Sequence, residues 1–183
     1  MTQLATNITF FISLGVIISD LSLVFFICLV IGGKRTPLAQ AVFGFIARNA
    51  LWLGFLVSAA GVLVSLFYSQ IVGFAPCDLC WWSRIFIYPQ SLIFLVAIIR
   101  RRKDKEYKSV FAESAVLSVL GLLVAAYQYY GSTFDPGVLS CSASAVSCSK
   151  IYFTAFGYVT LPMMALTGFM LLLAIVVARK LSR

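Results

Sequence analysis

Charged side chains are scarce in this sequence: Asp, Glu, Lys and Arg make up 11% of its 183 residues. A soluble domain usually carries about a quarter, so the shortage argues against an ordinary water-soluble fold. Acidic residues are the scarcer sign, six against fourteen, leaving a net charge of +8. That excess does not point to nucleic acid, because the basic residues fall in short clusters between apolar runs, the pattern that orients membrane proteins. Residues 1–7 lack any basic side chain and no small-residue cleavage pattern follows, which argues for retention of the first apolar run rather than its removal as a signal peptide. Internal repeats, low-complexity tracts and a soluble domain are missing too. The chain reads as a single integral membrane domain, residues 1–183.

What fills the sequence is apolar: 62% of residues are hydrophobic and the mean hydropathy is +1.02. The apolar residues lie in long runs rather than at amphipathic spacing, as lipid-facing helices require. Five runs, about 8–31, 50–72, 81–99, 110–130 and 153–178, can each cross a hydrocarbon core roughly 30 Å thick. The second has no charge, and the fourth has Glu113 near its start. The expected fold class is therefore an all-α membrane protein with five spans.

Orientation follows from the basic residues. Lys34, Arg35 and Arg48 flank the first connection; Arg100, Arg101, Arg102, Lys103, Lys105 and Lys108 fill the third; Arg179, Lys180 and Arg183 form the tail. An N-terminus outside and a C-terminus inside place all twelve on the cytoplasmic side, leaving only Arg84 and Lys150 elsewhere. The turn at 73–80 and the loop at 131–152 then face the oxidising side, where disulfides form and persist.

Four of the five cysteines fall in those two outer segments. Cys77 and Cys80 form a Cys-x-x-Cys at the mouth of the third span, and Cys141 and Cys148 lie in the long loop. Cys28, alone in the first span, reads as a buried packing residue. A Cys-x-x-Cys that opens a helix is chemically useful, since the free N–H groups and dipole of the helix N-terminus stabilise a thiolate. A second pair within reach lets electrons pass between pairs through mixed disulfides. Two alternatives stay open at this point. The cysteines could staple loops as structural disulfides, or hold zinc, although six residues between Cys141 and Cys148 exceed the usual ligand spacing. Arg84 favours redox chemistry. It lies four residues after Cys80, one helical turn along the same face, and a guanidinium at membrane depth is costly unless it has work to do. There it would hold a thiolate's charge or donate hydrogen bonds to a quinone carbonyl; the plainer reading is a snorkelling interfacial arginine.

The stretch Pro76-Cys77-Asp78-Leu79-Cys80-Trp81-Trp82-Ser83-Arg84-Ile85-Phe86-Ile87-Tyr88-Pro89 resembles the Pro-Cys-x-Leu-Cys…Arg signature of the DsbB/BdbC family of disulfide bond formation proteins, and the aromatic pair and Tyr-Pro are similar to its Gram-positive-type branch. The resemblance covers about 50–178, four spans with two cysteine pairs in the family's order. It implies a four-helix transmembrane bundle of DsbB type, with the run at about 8–31 as an extra N-terminal helix. It also implies a protein thiol:quinone oxidoreductase in the bacterial cytoplasmic (inner) membrane. In that scheme Cys77–Cys80 is the pair oxidised by a quinone, ubiquinone or menaquinone, with Cys80 at the quinone and Arg84 supporting it. Cys141 forms the mixed disulfide with a DsbA-like partner of thioredoxin fold, and Cys148 resolves it and exchanges with Cys77. Three features depart from the family pattern: the first span, the short Cys141–Cys148 separation, and Ser83 where Glu or Gln is common.

Other features carry weaker readings. Asp20, near the middle of the first span, is an ionisable group where such groups are rare; hydrogen bonding to Ser19 or Ser22, packing against the bundle, or handling the protons that quinone reduction consumes are its readings. Pro162 is expected to kink the fifth span. Tyr127, Tyr129 and Tyr130 read as an interfacial aromatic belt, and the polar loop at 140–149 as flexible. A vitamin-K-epoxide-reductase-like protein would share the chemistry, but there the loop pair precedes the Cys-x-x-Cys, whereas here it follows. A small transporter or scaffold with structural disulfides is the alternative from another class, disfavoured because no paired short or broken spans mark a substrate site.

Overall fold

A computed structural model describes residues 3–32, 36–100, 104–135, 148 and 150–182, with the side chains of 104–107 not described. Among the described residues six α-helices follow in chain order: α1 (Gln3–Ile31), α2 (Pro37–Arg48), α3 (Ala50–Leu66), α4 (Asp78–Ile99), α5 (Asp104–Thr133) and α6 (Leu161–Leu181). Helices α1, α4, α5 and α6, and α3 together with the helical turn that continues it to Ile71, include a stretch long and apolar enough to cross a membrane. Only between 17% and 33% of the most apolar window of each is buried inside the protein, so most apolar side chains face outward. That arrangement is stable only in an apolar solvent, and a helix is the form in which a single segment satisfies its own backbone there.

The core lies between α3, α4, α5 and α6, where Ile87 and Phe94 of α4, Val110 and Ala125 of α5, and Phe169 and Leu172 of α6 are buried together. Small residues let these helices approach. A Cβ at Gly54 would come within 2.6 Å of the Phe94 ring, and one at Gly121 would collide with the Phe169 ring. Polar contacts reinforce the α4–α5 seam: Ser114 and Ser118 donate to Oε1 of the fully buried Gln90 at 2.8 and 3.1 Å. Interhelical hydrogen bonds of this kind contribute about 0.6 kcal/mol each in membrane proteins.

Outside this bundle, α1 packs on α6. Near its C-terminal end Phe26 joins Ala39 and Phe43 of α2 and Ala178 of α6 in a second cluster. The sequence did not announce α2. It begins with Thr36 accepting from the Ala39 amide at 3.3 Å and Pro37 in the first turn, where a missing N–H costs nothing. Helices α3 and α5 end, and α4 and α6 begin, at the end of the bundle that carries Cys77, here called the cysteine end.

Three expectations need correction. The fifth span starts at Leu161 rather than near 153, because Phe153–Thr160 is occupied by a tight loop with an Ala155–Val159 bridge. Phe156 (φ 51°) and Gly157 (φ 84°) adopt left-handed backbone in that turn, which no helix accommodates. Pro162 therefore introduces no kink. It sits in the first turn of α6, behind the Thr160 cap. Cys28 is exposed rather than buried: it lies two residues past Phe26 of the buried stripe, about 200° around the helix.

The close helix approaches make a direct prediction. Gly121→Ala should destabilise the detergent-solubilised protein by about 1–3 kcal/mol, as overpacking does, measured as a lower unfolding midpoint. Gly44→Ala, where nothing lies within 4 Å, should be neutral or slightly stabilising.

Candidate active site

The site is assembled where α3 ends and α4 begins. After α3 the chain winds into a π-helical turn, Phe67–Ile71, then reverses at Gly73 (φ 79°) and runs through Ala75-Pro76 to the cysteines. Stacked rings brace this excursion: Tyr68 on Phe153 at 5.2 Å, and Phe74 on Tyr152 at 4.3 Å. The Tyr152 hydroxyl also donates to the Ala75 carbonyl at 2.7 Å. These contacts fix the approach of the segment that enters α4.

Cys77 is the N-cap of α4, in extended conformation, with its sulfur accepting from the Cys80 amide at 3.4 Å. Capping explains the two-residue spacing, since a cap side chain reaches the amide three residues on, and it brings the two side chains together. The sulfurs are 2.7 Å apart, so loss of two electrons needs only a small further approach to the about 2.05 Å of a disulfide. Cys77 is 4% exposed. Its thiol is pushed far above the usual range, first by its hydrogen bond with the Cys80 sulfur, then by burial and by negative charge at Cys80. Tyr152 responds to the same site: burial raises its hydroxyl, and charge on Cys80 and Cys77 adds to the shift.

Gln128 was missed by the sequence reading. Its side-chain N–H donates to both sulfurs, at 3.3 Å to Cys77 and 3.4 Å to Cys80, from a nearly buried position at the cysteine end of α5. A lone amide between Tyr127 and Tyr129 in an apolar span was the available signal; the tyrosines drew attention to the interface instead.

Cys80 also borders an open-sided cavity of about 500 Å³ lined mainly by α1, α3, α4 and α6, within the 300–1,000 Å³ that hold small ligands and cofactors. Arg84 lies on the same wall. Its guanidinium donates to the Ser65 carbonyl at 3.3 Å and lies 5.2 Å from the centre of the Trp81 ring, so it is fixed beside the cavity. The hydroxyl of Ser83, a third cavity residue, is buried without a hydrogen-bond partner. An apolar cavity with a cation, an idle hydroxyl and a cysteine on one wall suits a flat apolar molecule bearing polar oxygens, and a quinone is of that kind.

A smaller recess beside the cavity is lined by Cys77, Cys80, Gln128, Lys150 and Tyr152. Cys148, two residues before Lys150, is 2% exposed and disulfide-bonded, whereas Cys77, Cys80 and Cys28 are free. The chain segment that follows Cys148 thus borders the Cys77–Cys80 pair. Cys141 lies outside the described residues, as does the 140–149 loop apart from Cys148. Among the described residues no three metal-binding side chains converge.

A family profile described as "Disulfide bond formation protein DsbB" matches residues 47–179. The chain belongs to this family. The match takes in the four helices of the bundle and leaves α1 and nearly all of α2 before it. Among curated proteins, the chain is similar to the SPbeta prophage-derived disulfide bond formation protein B of Bacillus subtilis strain 168, 36% identical over 70% of this chain and 83% of that protein. It is likewise similar to a probable disulfide formation protein of Oceanobacillus iheyensis, 36% identical over 69% of this chain and 85% of the relative. With one from Chlamydia pneumoniae it shares 35% identity, over 76% of this chain and 97% of the relative. No solved structure gives a significant match. As a member of the family, the chain is a multi-pass membrane protein of disulfide bond formation.

Two outcomes follow from the cysteine geometry. Cys80→Ala removes the hydrogen bond and the charge that hold the Cys77 proton, leaving only burial. The pH midpoint for alkylation of Cys77 by iodoacetamide should therefore fall. In the reduced wild type, Gln128→Leu should slow alkylation of the pair at fixed pH, since a hydrogen bond to an ionised group contributes about 1.5–3 kcal/mol.

Proposed function

We propose that this protein reoxidises the dithiol of a DsbA-like partner of thioredoxin fold and passes the electrons to a membrane quinone, at the extracytoplasmic face of the bacterial cytoplasmic membrane. The observation that carries the reading is the position of Cys77 and Cys80, in sulfur contact with each other while Cys80 shares a cavity wall with Arg84. The basic clusters support placing the cysteine end outside. The single membrane domain then divides into a redox core, α3 to α6, and an added N-terminal span.

In this scheme a partner thiolate attacks the Cys141–Cys148 disulfide at Cys141 and displaces Cys148. The partner's second thiolate then closes the partner disulfide and releases Cys141. Cys148 attacks Cys77 of the oxidised Cys77–Cys80 pair, and Cys141 completes the exchange, so the two electrons now reside on Cys77 and Cys80. Each exchange runs through a mixed disulfide and moves one electron pair. The recess shared by Cys77, Cys80 and Lys150 supports this hand-over, because it opens the membrane pair towards the loop that bears Cys148. A quinone bound in the large cavity accepts two electrons and two protons. Cys80 presents its sulfur to that cavity, Arg84 holds negative charge beside it, and the free Ser83 hydroxyl offers a hydrogen bond. Ubiquinone and menaquinone both suit this chemistry.

The test is anaerobic oxidation of a reduced thioredoxin-fold partner by the purified protein with each quinone in turn. Partner oxidation beyond the disulfides that the protein itself carries should require quinone and be lost in Cys77→Ser and Cys80→Ser. A partner that lacks its second cysteine should accumulate a mixed disulfide with wild type that Cys141→Ala cannot form. Repeated turnover without quinone, or equal trapping by Cys141→Ala, would overturn the scheme.

A further inference from the structure

Reduction of a quinone needs protons as well as electrons, and the chain has no histidine. The helix that the family match omits holds the one acidic side chain of α1, Asp20. Ser19 and Ser22 do not engage it: their hydroxyls donate to backbone carbonyls of their own helix, Gly15 and Ser19, each at 2.8 Å. Asp20 reaches instead across the α1–α6 seam. The Thr167 hydroxyl donates to its Oδ1 at 2.7 Å, and the Tyr158 hydroxyl donates to its Oδ2 at 3.0 Å. Thr167 is 2% exposed and borders the large cavity, as does Ser19 beside Asp20. Tyr158 lies in the loop at the cysteine end and is partly exposed. One carboxyl group therefore links the hydroxyl of a partly exposed loop residue to a hydroxyl on the cavity wall, both outside the helix that carries Cys80 and Arg84.

We propose that Tyr158, Asp20 and Thr167 form a proton relay that feeds the cavity from the cysteine end, so that the extra N-terminal helix supplies a working part of the quinone site. The inference rests on the quinone reading above. In the half-reaction, the sulfurs of Cys77 and Cys80 lose two electrons, an S–S bond forms and the protons that the pair carries leave. The quinone gains those two electrons and takes up two protons, one at each oxygen. The relay supplies one of these: Thr167 gives up its hydroxyl proton and takes one from the Asp20 carboxyl, which is reprotonated through Tyr158 from water. A hydroxyl can accept and donate at once, and a carboxyl at membrane depth is the expected element of such a path.

The test compares wild type with Asp20→Asn, which keeps the shape and one acceptor but carries no transferable carboxyl proton, and with Tyr158→Phe. Three quantities are measured: quinone affinity by fluorescence quenching, quinone-free disulfide exchange with the partner, and the single-turnover rate of quinol formation. Asp20→Asn should leave affinity and exchange unchanged and slow quinol formation by about 10²-fold, the scale of general acid catalysis. Added small weak acids should restore much of the rate, and Asp20→Glu should retain it; Tyr158→Phe should slow quinol formation by a smaller factor. An unchanged quinol rate in Asp20→Asn, or a fall matched by lost affinity and not rescued by weak acid, overturns the relay. Wild-type protein that binds and reduces no quinone overturns the functional reading itself, and the relay with it.

Discussion

The contact between the Cys77 and Cys80 sulfurs at the first turn of α4 is the constraint on which the rest of the structure depends. A pair separated by two residues meets only if the first residue leaves the helix as a cap and the second enters it, and the chain is built to hold that geometry. The π-helical turn after α3, the left-handed Gly73 and the stacked Phe74 and Tyr152 fix the incoming segment. From the other side Gln128 of α5 fixes both sulfurs. Because the cap is also the end of a membrane span, Cys77 and Cys80 both border a recess shared with the loop after Cys148, and Cys80 also borders a cavity within the bundle. On the proposed function, the pair meets a protein thiol through the recess and a membrane-soluble molecule through the cavity.

The cavity exists because α1 stands against α6 without filling the space in front of α4. The four helices matched by the family supply Cys80, Ser83, Arg84 and Gln128; α1 adds another wall, with Ile12, Val16 and Ser19. Its placement is set by polar contacts as well as by packing: Thr9 receives the Tyr68 hydroxyl at 3.3 Å near one end, and Asp20 takes two hydroxyls further along. In an apolar solvent such contacts specify which face of a helix docks, because general hydrophobicity does not discriminate between faces.

Much of this was legible in the residues. Apolar run length gave five spans, and the Cys-x-x-Cys with Arg84 one turn on marked the wall of the cavity. The misreadings share a cause. Hydropathy sees composition and not backbone geometry, so the apolar loop Phe153–Thr160 was merged into the last span, and Pro162 became an interior proline rather than a helix start. Cys28 was placed inside because it is apolar, yet in a membrane protein apolar residues belong as readily on the outside. Gln128 escaped notice because its role depends on α5 meeting the start of α4, about fifty residues away in the chain, a proximity that one sequence does not display. The Asp20 contacts, to Thr167 and Tyr158, are longer-range still.

The central claim is that Cys77 and Cys80 deliver their electrons to a quinone in the adjoining cavity. It is tested most directly by mixing fully reduced protein, without partner and without oxygen, with one equivalent of quinone, and counting quinol and remaining thiols together. The expected result is one quinol per chain, with Cys77 and Cys80 both lost as free thiols and joined in a disulfide by peptide mapping. Quinol formed while both thiols remain free, or a Cys77–Cys80 disulfide formed without quinol, would contradict it.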